Sequence, residues 1–370
     1  MVWPVFLVAA CYLLLIRWVY AGWKGTKEVL SHVADPLPGV TILIPVRNEE
    51  DNILTCLQSI KDNDYPKDKY EILLIDDHST DSTVLKAIDC SISNLKIISL
   101  PANKTGKKAA ISEGLSMAGF DFVLCTDGDC RAGSQWIKSH ASNYYDSRKY
   151  LNTATVLPEE DGSILADFQW MDFAMTMAVT SCGISRDLFF LANGANMSYK
   201  PSVAAGLKDS RGQEYASGDD IFLVQAMAGK FSGSIGFIKD KQALVTTKAE
   251  KTWADFLRQR TRWATKSLMT SDPYVKTIQA FVFFVNLLLV IILVAGIAKP
   301  SDFGIYALCF IVLKAAADYF MLRALAGYYG QSGVLRSFFP AFFIYTGYIL
   351  YAGTMALFPS EYQWKGRQVK

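Results

Sequence analysis

Apolar residues are concentrated at the two ends of the chain, and the first apolar run is long enough to cross a membrane. Residues 2–20 are apolar or aromatic except for Arg17, which is about the length that a spanning helix needs. No charge precedes the run and no clean cleavage site follows it, so the pattern favours an uncleaved anchor over residues 1–22 rather than a signal peptide. Arg17, Lys24 and Lys27 predict that the chain continues on the cytoplasmic side.

In the middle of the chain, short β-branched runs alternate with helical patterns. This alternation is typical of βαβ units around a mostly parallel sheet. It predicts an α/β domain over residues 38–268, which ends in a basic amphipathic helix at the membrane surface, at about 252–268. The predicted strands are 40–44, 71–75, 96–99 and 122–125, and the predicted helices are 52–60, 81–88 and 107–118.

The C-terminal part of the chain is apolar again, with three runs that each approach the thickness of a bilayer. They cover residues 278–298, 303–323 and 338–358. We therefore predict a transmembrane region over 276–358 and a basic tail over 359–370. One span before the domain and three after it would place this tail outside, yet its charges favour the cytoplasm. A re-entrant or interfacial segment is the alternative, and the sequence leaves the choice open.

Composition narrows the class of protein further. Apolar residues make up 51% of the chain and charged residues only 19%, which fits a protein that lies partly in lipid. The net charge of +2 gives no basis for nucleic acid as a partner. Seven cysteines without paired spacing do not form a disulfide framework, and they suit the reducing cytoplasm. The three histidines have no zinc spacing, and phosphate-loop and dinucleotide motifs are missing.

Two pairs of carboxylates directly follow predicted strands. Asp76 and Asp77 follow the second strand, and Asp127 and Asp129 flank a glycine after the fourth. Open α/β sheets bind ligands at the carboxyl ends of their strands. Carboxylate oxygens suit Mg²⁺ or Mn²⁺, which compensate the charge of a departing diphosphate. A capped turn and an Asp-Gly turn are the simpler alternatives for each pair taken singly.

Other polar motifs lie at predicted helix starts and turns. Asp219 and Asp220 open a helical pattern, where one of them can act as a general base or simply cap the helix. Lys107 belongs to a basic stretch before a helix, which either binds phosphate or is a solvated loop. Residues 194–197 follow an apolar run, and they form either a close approach to a ligand or a tight turn.

Gln259, Arg262 and Trp263 lie within the basic amphipathic helix. An arginine in a cleft can pair with phosphate, and a tryptophan face can stack on a sugar or a base. The alternative is that these residues belong to a membrane-surface helix with tryptophan anchors. Both interpretations are compatible with each other.

In this order and spacing, the motifs resemble the family 2 inverting glycosyltransferases of GT-A fold, over residues 40–263. Residues 44–50 look like the first strand and loop of that family. The resemblance implies a Rossmann-like mixed sheet, a nucleotide-diphosphate sugar as donor, and Mg²⁺ or Mn²⁺ as cofactor. Uridine is the first candidate for the base. The apolar segments are similar to those of the membrane-bound branch of the family, and they imply one N-terminal and about three C-terminal transmembrane helices.

The resemblance also implies roles for particular residues. The first aspartate pair corresponds to the motif that contacts the nucleotide base, and the Asp-x-Asp motif to the one that holds the metal and the diphosphate. The implied catalytic residues are Asp220, as the base, and Asp219 beside it, where the family often has Glu. The implied metal ligands are Asp129 and Asp127. The residues implied to bind the nucleotide sugar are Asp76, Asp77, Asp127, Lys107, Gln259, Arg262 and Trp263.

The acceptor remains open between two branches of the family. The short chain and its few spans favour the ceramide glucosyltransferase-like branch, in which one sugar is transferred to a lipid hydroxyl. The alternative is a processive synthase of a β-linked polysaccharide, which would need a pore for its product. A catalytically inert membrane binding module is a hypothesis of another class. We expect an integral protein of a bacterial-type plasma membrane, with its catalytic domain facing the cytoplasm.

Overall fold

The computed structural model describes residues 3–28, 36–142, 144, 149–204, 207, 219–270, 272–358, 362–364 and 367–369. For residues 219, 266–269, 362–364 and 367–369 the backbone alone is described. The side chain of Asp219 and the tail residues Lys365 and Lys370 therefore lie outside the described part of the chain.

The elements follow the alternation that the sequence predicts in the middle of the chain. The strands are β1 (Val40–Val46), β2 (Tyr70–Asp76), β3 (Leu95–Ser99), β4 (Val123–Cys125), β5 (Cys130–Ala132), β6 (Leu151–Ala154), β7 (Val156–Pro158), β8 (Met197–Tyr199), β9 (Ile235–Ile238), β10 (Val245–Thr247), β11 (Tyr362–Trp364) and β12 (Arg367–Val369). The helices are α1 (Trp3–Gly25), α2 (Ile53–Lys61), α3 (Thr83–Asp89), α4 (Lys107–Met117), α5 (Trp136–Ser142), α6 (Ile164–Ser185), α7 (Pro201–Ala204), α8 (Asp219–Lys230), α9 (Trp253–Met269), α10 (Pro273–Ala298), α11 (Pro300–Tyr329) and α12 (Phe338–Met355).

The chain divides into two compact units, which we call the sheet unit and the helical unit. The sheet unit comprises Thr26–Leu157, Gly183–Lys248 and Glu361–Lys370. The helical unit comprises Met1–Gly25, Pro158–Cys182 and Ala249–Ser360. Most of α6 and all of α9 thus group with the apolar helices. The sequence places α6 and all but the last residue of α9 inside the predicted α/β domain, residues 38–268.

The sheet unit is built on a mixed sheet with the strand order β3-β2-β1-β4-β8-β6-β9. The strands β3, β2, β1 and β4 are parallel, and β8 runs antiparallel to both β4 and β6. Strands β1 and β2 are buried along almost their whole length, as expected for parallel strands that helices cover on both faces. This architecture confirms the predicted α/β class with a Rossmann-like mixed sheet.

A buried carboxylate in the middle of this sheet shows how its polar groups are satisfied. Glu71 on β2 accepts hydrogen bonds from the Thr41 hydroxyl at 2.8 Å and from the Gly119 amide at 2.6 Å. The Lys96 ammonium lies 2.8 Å from its other oxygen. Burial opposes the charge of Glu71, but these bonds outweigh burial and lower its pKa. The carboxylate therefore joins three strands and the loop before β4.

The parallel strands end at one edge of the sheet. Val46 at the end of β1 is paired with Asp76 at the end of β2, and Leu43 of β1 is paired with Cys125 at the end of β4. The loops that follow these strands therefore begin side by side. Such an edge is where open α/β sheets place their ligand sites.

Among its described residues, the helical unit contains four helices that are long and apolar enough to cross a membrane. They are Trp3–Gly25, Pro273–Ala298, Pro300–Tyr329 and Ser332–Met355, the last of which includes a 3₁₀ turn before α12. One lies near the N-terminus and three in the C-terminal part, as the sequence predicts.

Polar side chains inside the helical unit are paired with one another. Lys314 and Asp318 form an ion pair one turn apart on α11, with 2.8 Å between ammonium and carboxylate. The Tyr12 hydroxyl on α1 donates to the same carboxylate at 2.5 Å. Thr346 on α12 donates to the Asn286 side chain on α10 at 3.1 Å. These contacts satisfy groups that are costly to leave unpaired in an apolar environment.

Candidate active site

The loops after β1 and β2 are bound to each other by hydrogen bonds. The Arg47 guanidinium donates to the carbonyl oxygens of Asp77 at 2.6 Å and His78 at 3.0 Å. The Asn48 side chain accepts from the Thr80 amide at 2.8 Å. Asn48 and His78 both have positive φ, 52° and 57°, a conformation that non-glycine residues adopt rarely. The two loops therefore hold one defined shape at the edge of the sheet.

Both carboxylates of the first aspartate pair are buried and bind backbone amides. Asp76 accepts from the Ser79 amide at 3.1 Å. Asp77 accepts from the Gly106 amide at 3.0 Å, and its other oxygen lies 3.3 Å from the His78 ring. Gly106 has a φ of 94°, which glycine adopts at little cost. Gly106 is thus bound to Asp77, so the aspartate pair and the start of α4 lie together.

The Asp-x-Asp motif forms the turn between β4 and β5. The Asp127 carbonyl accepts from the Cys130 amide at 3.1 Å. A Cβ on Gly128 would lie 2.7 Å from Cγ1 of Val46 and 3.2 Å from Cγ of Glu49. The glycine between the two aspartates therefore lets the turn lie directly against the end of β1.

Two buried thiols lie beneath this turn. Cys130 Sγ lies 3.4 Å from the Asp129 carboxylate, and Cys56 Sγ lies 3.6 Å from the Asp127 carbonyl. Burial raises the pKa of both thiols, so they stay protonated and donate weakly to these oxygens. Burial and the negative charge of Asp127 raise the pKa of Asp129 as well. The turn thus holds two acidic groups that disfavour each other's charge.

The chemistry of this turn fits a divalent cation. Two carboxylates that repel each other are both stabilised when a cation lies between their oxygens. The buried Thr126 hydroxyl next to them has no hydrogen-bond partner among the described residues. Within the described ranges, no group of three or more Asp, Glu, His or Cys side chains is arranged to hold a metal ion. The protein would therefore supply Asp127 and Asp129, and phosphate oxygens and water the other ligands, as is usual for Mg²⁺.

Lys107 connects the Asp-x-Asp turn to Asp220. Its ammonium lies 2.5 Å from the Asp127 carboxylate. A Cβ on Gly194 would lie 3.6 Å from the Lys107 ammonium and 3.4 Å from the Asp220 carboxylate, so both groups face the same glycine. Burial lowers the pKa of Lys107, but Asp127 and Asp220 outweigh burial and raise this pKa above its usual range. The ammonium therefore stays charged between the two carboxylates.

Asp220 lies in the first turn of α8 with a fixed carboxylate. One oxygen accepts from the Gly194 amide at 2.9 Å and the other from the Ile221 amide at 2.9 Å. A carboxylate at a helix N-terminus is stabilised by the helix dipole. The structure thus brings Lys107 and Asp127 together with Asp220, which follows them in the sequence by 113 and 93 residues. Asp76 and Asp77 lie at the same edge of the sheet.

The residues predicted on the basic helix belong to the helical unit and lie on α9. Gln259 donates to the Glu250 carboxylate at 2.7 Å. Trp263 packs edge-on against Phe173 and has the guanidinium of Arg260 over its ring, 4.3 Å from the centroid. That a donor contacts Gln259, Arg262 and Trp263 stays a prediction.

Sequence reasoning missed Arg260, the arginine between the motif positions. Arg260 is 3% exposed and pairs with Asp172 on α6 at 2.9 Å. Burial raises the pKa of Asp172, and the arginine partly offsets this effect. A cation between Phe173 and Trp263 is a cation–π arrangement. A charged residue one position from the motif carries no sequence signal for this contact, because the partner lies on a distant helix.

His140, Trp136, Asn196 and Ser198 form a polar network inside the sheet unit, and each of them is fully buried. The Asn196 oxygen accepts from Trp136 Nε1 at 2.8 Å and lies 2.9 Å from His140 Nε2. The Asn196 nitrogen donates to two carbonyls, so its oxygen must be an acceptor and His140 Nε2 must carry the proton. His140 Nδ1 then accepts from the Ser198 hydroxyl at 2.8 Å.

This network predicts an acid-sensitive fold. Burial lowers the pKa of His140 to about 4, although the bond to Asn196 favours the charged form. In the unfolded chain a histidine titrates near ~6.5. As the pH falls from ~6.5 towards 4, the unfolded state binds a proton that the folded state does not, so the free energy of unfolding falls by roughly 3 kcal/mol across the interval.

We therefore expect the thermal unfolding temperature of the wild type in detergent to fall more steeply between pH 7 and 4.5 than that of His140→Gln. All other titrating groups are common to the two proteins. Parallel curves would show that His140 contributes nothing to acid sensitivity.

Comparison with known proteins finds a family match for the part of the chain that carries both aspartate motifs. Residues 41–170 match the model of Glycosyl transferase family 2. They include both aspartate motifs and the strands that carry them. The chain therefore carries a glycosyltransferase family 2 domain, and its mixed sheet is of the GT-A type.

Individual relatives and a solved structure agree with this assignment. The chain is 34% identical over 108 residues to Glycosyltransferase AglE of Haloferax volcanii, covering 29% of this chain and 35% of that protein. It is 33% identical over 113 residues to the dolichyl N-acetyl-alpha-D-glucosaminyl phosphate 3-beta-D-2,3-diacetamido-2,3-dideoxy-beta-D-glucuronosyltransferase of Methanococcus voltae, covering 30% of this chain and 35% of that protein. The chain thus spans about a third of the length of either relative.

The mannosyltransferase PcManGT from Pyrobaculum calidifontis, solved in complex with GDP-Man and Mn²⁺, shares the fold of this chain. The TM-score is 0.60 at 17% identity, with 96% of this chain and 97% of that chain covered. At this identity the similarity concerns the fold alone. It extends over nearly the whole length of both proteins and not only over the family 2 domain.

Proposed function

We propose that this chain is an inverting glycosyltransferase, which moves a sugar from a nucleotide-diphosphate sugar to a hydroxyl group of a membrane lipid. A UDP-sugar is the first candidate for the donor. The observation that carries the proposal is the arrangement of Asp127, Lys107 and Asp220. The motif expected to hold a diphosphate and the carboxylate expected to act as a base face the same ammonium group.

Asp220 is the proposed base. Its carboxylate is held by two backbone amides, and it can accept the proton of an acceptor hydroxyl as that oxygen attacks the anomeric carbon. Asp219 precedes it in the same helical turn. A single displacement of this kind inverts the anomeric configuration, so an α-linked donor gives a β-linked product.

The departing diphosphate needs positive charge close to the oxygen that leaves. Lys107 supplies a charged ammonium at this position. A divalent cation held by Asp127 and Asp129 would add charge compensation for the diphosphate. Support comes from PcManGT, which was solved with GDP-Man and Mn²⁺. Asp76 and Asp77 lie at the end of β2, which β1 separates from β4 and the Asp-x-Asp turn. We propose that they contact the nucleotide base.

A lipid acceptor is supported by the helical unit and by one relative. Four helices are long and apolar enough to cross a membrane. The relative from Methanococcus voltae acts, by its name, on dolichyl N-acetyl-alpha-D-glucosaminyl phosphate. The dolichyl group of this compound is a lipid. We propose that this chain lies in a bacterial-type plasma membrane with the sheet unit on the cytoplasmic side, where nucleotide sugars are present.

Lys107 offers a matched pair of variants. Lys107→Gln removes a charge-assisted contact to the diphosphate, and we expect kcat/KM for the donor to fall about 10- to 100-fold. Lys104→Gln removes an exposed lysine three residues earlier, which pairs with Glu113 at 2.7 Å. Surface ion pairs contribute little, so its kinetics should match the wild type. Steady-state kinetics with the best donor measure kcat/KM for both variants. If the two changes have equal effects, Lys107 does not bind the diphosphate.

The function itself is tested with purified protein in lipid vesicles, a panel of UDP- and GDP-sugars, and Mg²⁺ or Mn²⁺. Products are separated into a lipid-extractable fraction and a high-molecular-mass fraction. We expect metal-dependent transfer into the lipid fraction. Transfer into polymer would instead establish a processive synthase. If no donor is bound or consumed, the chain is an inert module and the proposal is wrong.

A further inference from the structure

Asp220 depends for its orientation on an amide from a different segment of the chain. The Gly194 amide that binds its carboxylate belongs to a tight turn between α6 and β8. In this turn the Asn196 amide donates to the Asn193 carbonyl at 3.0 Å, and the Ala195 amide donates to the Asn193 side chain at 3.0 Å. The position of the Gly194 amide is therefore set by whatever holds this turn in place.

The turn is held by the side chain of Asn196. Its oxygen is bound by Trp136 and His140 from α5, at 2.8 and 2.9 Å. Its nitrogen donates to the carbonyls of Thr155 at 2.8 Å and Ala243 at 2.9 Å. All four hydrogen bonds of this amide are thus made, and its residue is 0% exposed. A fully bonded amide in a dry interior fixes its own backbone tightly.

We propose that Asn196, held by His140 and Trp136, is a positioning residue that orients Asp220 through the amide of Gly194. This inference rests on the proposed role of Asp220 as the base. Asn196 itself touches neither the carboxylate nor the ammonium of the site. Asn196 acts on Asp220 through the backbone of the turn that joins it to Gly194.

The positioning role predicts changes that a merely structural role would not produce. If the turn loosens, the Asp220 carboxylate loses an amide donor and its orientation becomes less defined. The rate constant kcat should then fall, because the base is no longer held in one orientation. The donor KM should stay close to that of the wild type. Among the residues that the structure describes, the charged groups that face Asp220 are Lys107 from α4 and, beyond it, Asp127, and neither is altered.

Two amide substitutions of His140 separate the hydrogen bond from the rest of the side chain. In His140→Gln the new amide nitrogen can replace Nε2 as a donor to Asn196. The shorter side chain of His140→Asn places its amide near the former Nδ1, so the donor to Asn196 is lost. Both variants are uncharged, like the wild-type ring above pH 5, since burial lowers the pKa of His140 to about 4. Any difference between them therefore reports on the bond to Asn196.

We expect His140→Asn to lower kcat about three- to tenfold, the cost of one hydrogen bond, while the donor KM stays unchanged. His140→Gln should recover most of the lost kcat. Trp136→Phe removes the other donor to Asn196 and keeps a ring in the core, so it gives the same test if His140→Asn folds poorly. Ser139→Ala is the control, because it breaks a bond from the same helix to Asp240, 2.5 Å long, and leaves Asn196 untouched.

These variants are measured beside Asp220→Asn in the same transfer assay, with thermal unfolding as a check of folding. The inference is overturned if His140→Asn and Trp136→Phe keep the kcat of the wild type while Asp220→Asn is inactive. It is also overturned if both lose no more activity than Ser139→Ala. If Asp220→Asn remains active, the proposed base is wrong, and that failure is distinct from the failure of the positioning role.

Discussion

Replacing Asp220 with asparagine is expected to reduce sugar transfer by about 10²- to 10⁴-fold, the range for loss of a general base. Asparagine keeps the size of the side chain and its oxygen can still accept from the Gly194 amide, which binds Asp220 at 2.9 Å. It cannot take a proton from an acceptor hydroxyl. The loss should appear in kcat, while the affinity for the donor changes little, because the residues proposed to contact the nucleotide lie elsewhere.

The control for Asp220→Asn is an equal change of charge on the surface of the same unit. Asp89 at the end of α3 is exposed, and Asp89→Asn should have wild-type kinetics. Donor binding by calorimetry and transfer with a labelled donor measure the two effects separately. Transfer by Asp220→Asn within tenfold of the wild type would show that another group is the base.

Replacing Asp129 with asparagine is the second large change that we expect. Burial and the negative charge of Asp127 both disfavour the charge of Asp129, so removal of the Asp129 carboxylate should leave the turn more stable but unable to bind a divalent cation tightly. Charge compensation of a diphosphate by a metal lowers a reaction barrier by several kcal/mol. We therefore expect a fall in kcat/KM of about 10²- to 10³-fold.

A readout that does not depend on turnover accompanies this variant. Binding of Mn²⁺ in the presence of UDP can be followed by electron paramagnetic resonance for the wild type, Asp129→Asn and Asp89→Asn. Weak binding by Asp129→Asn alone agrees with a metal site at the turn. Equal binding by all three proteins would place the metal elsewhere.

Much of the fold was predictable from the spacing of apolar residues. Runs of about twenty apolar residues have few structures available other than spanning helices, and the four helices overlap the predicted segments, although the last ends at Met355 rather than at Phe358. Strands β1 to β4 were predictable because parallel strands covered on both faces read as continuous apolar runs. The sequence did not reveal that β8 lies antiparallel between β4 and β6, since three residues, Met197 to Tyr199, carry no periodic signal.

The grouping of α6 and α9 with the apolar helices was also invisible in the sequence. Both helices have charged residues, and α9 reads as a surface helix. What joins them is the pair Arg260 and Asp172 together with the rings of Phe173 and Trp263. Such pairing between distant segments follows from the tertiary structure and leaves no local pattern. The hydrogen bond from Tyr12 on α1 to Asp318 on α11 is a similar case.

The site was predictable residue by residue but not as an arrangement. Asp127 and Asp220 each belong to a recognisable motif, and Lys107 belongs to a basic stretch. That Lys107 lies between the two carboxylates depends on how α4 packs on β1 and β2. The roles of Gly194 and Asn196 rest on backbone amides and buried carbonyls, which no residue pattern specifies. The residues of the proposed site thus leave a signal in the sequence, whereas those that hold them in place do not.

The central claim is that the chain moves one sugar from a nucleotide-diphosphate sugar to a lipid hydroxyl by a single displacement. The most direct test is the structure of the product that the wild type forms in vesicles from an α-linked donor, determined by nuclear magnetic resonance of the lipid extract. The account predicts a lipid that carries one β-linked sugar. An α-linked sugar, or label found only in hydrolysed donor, would contradict it.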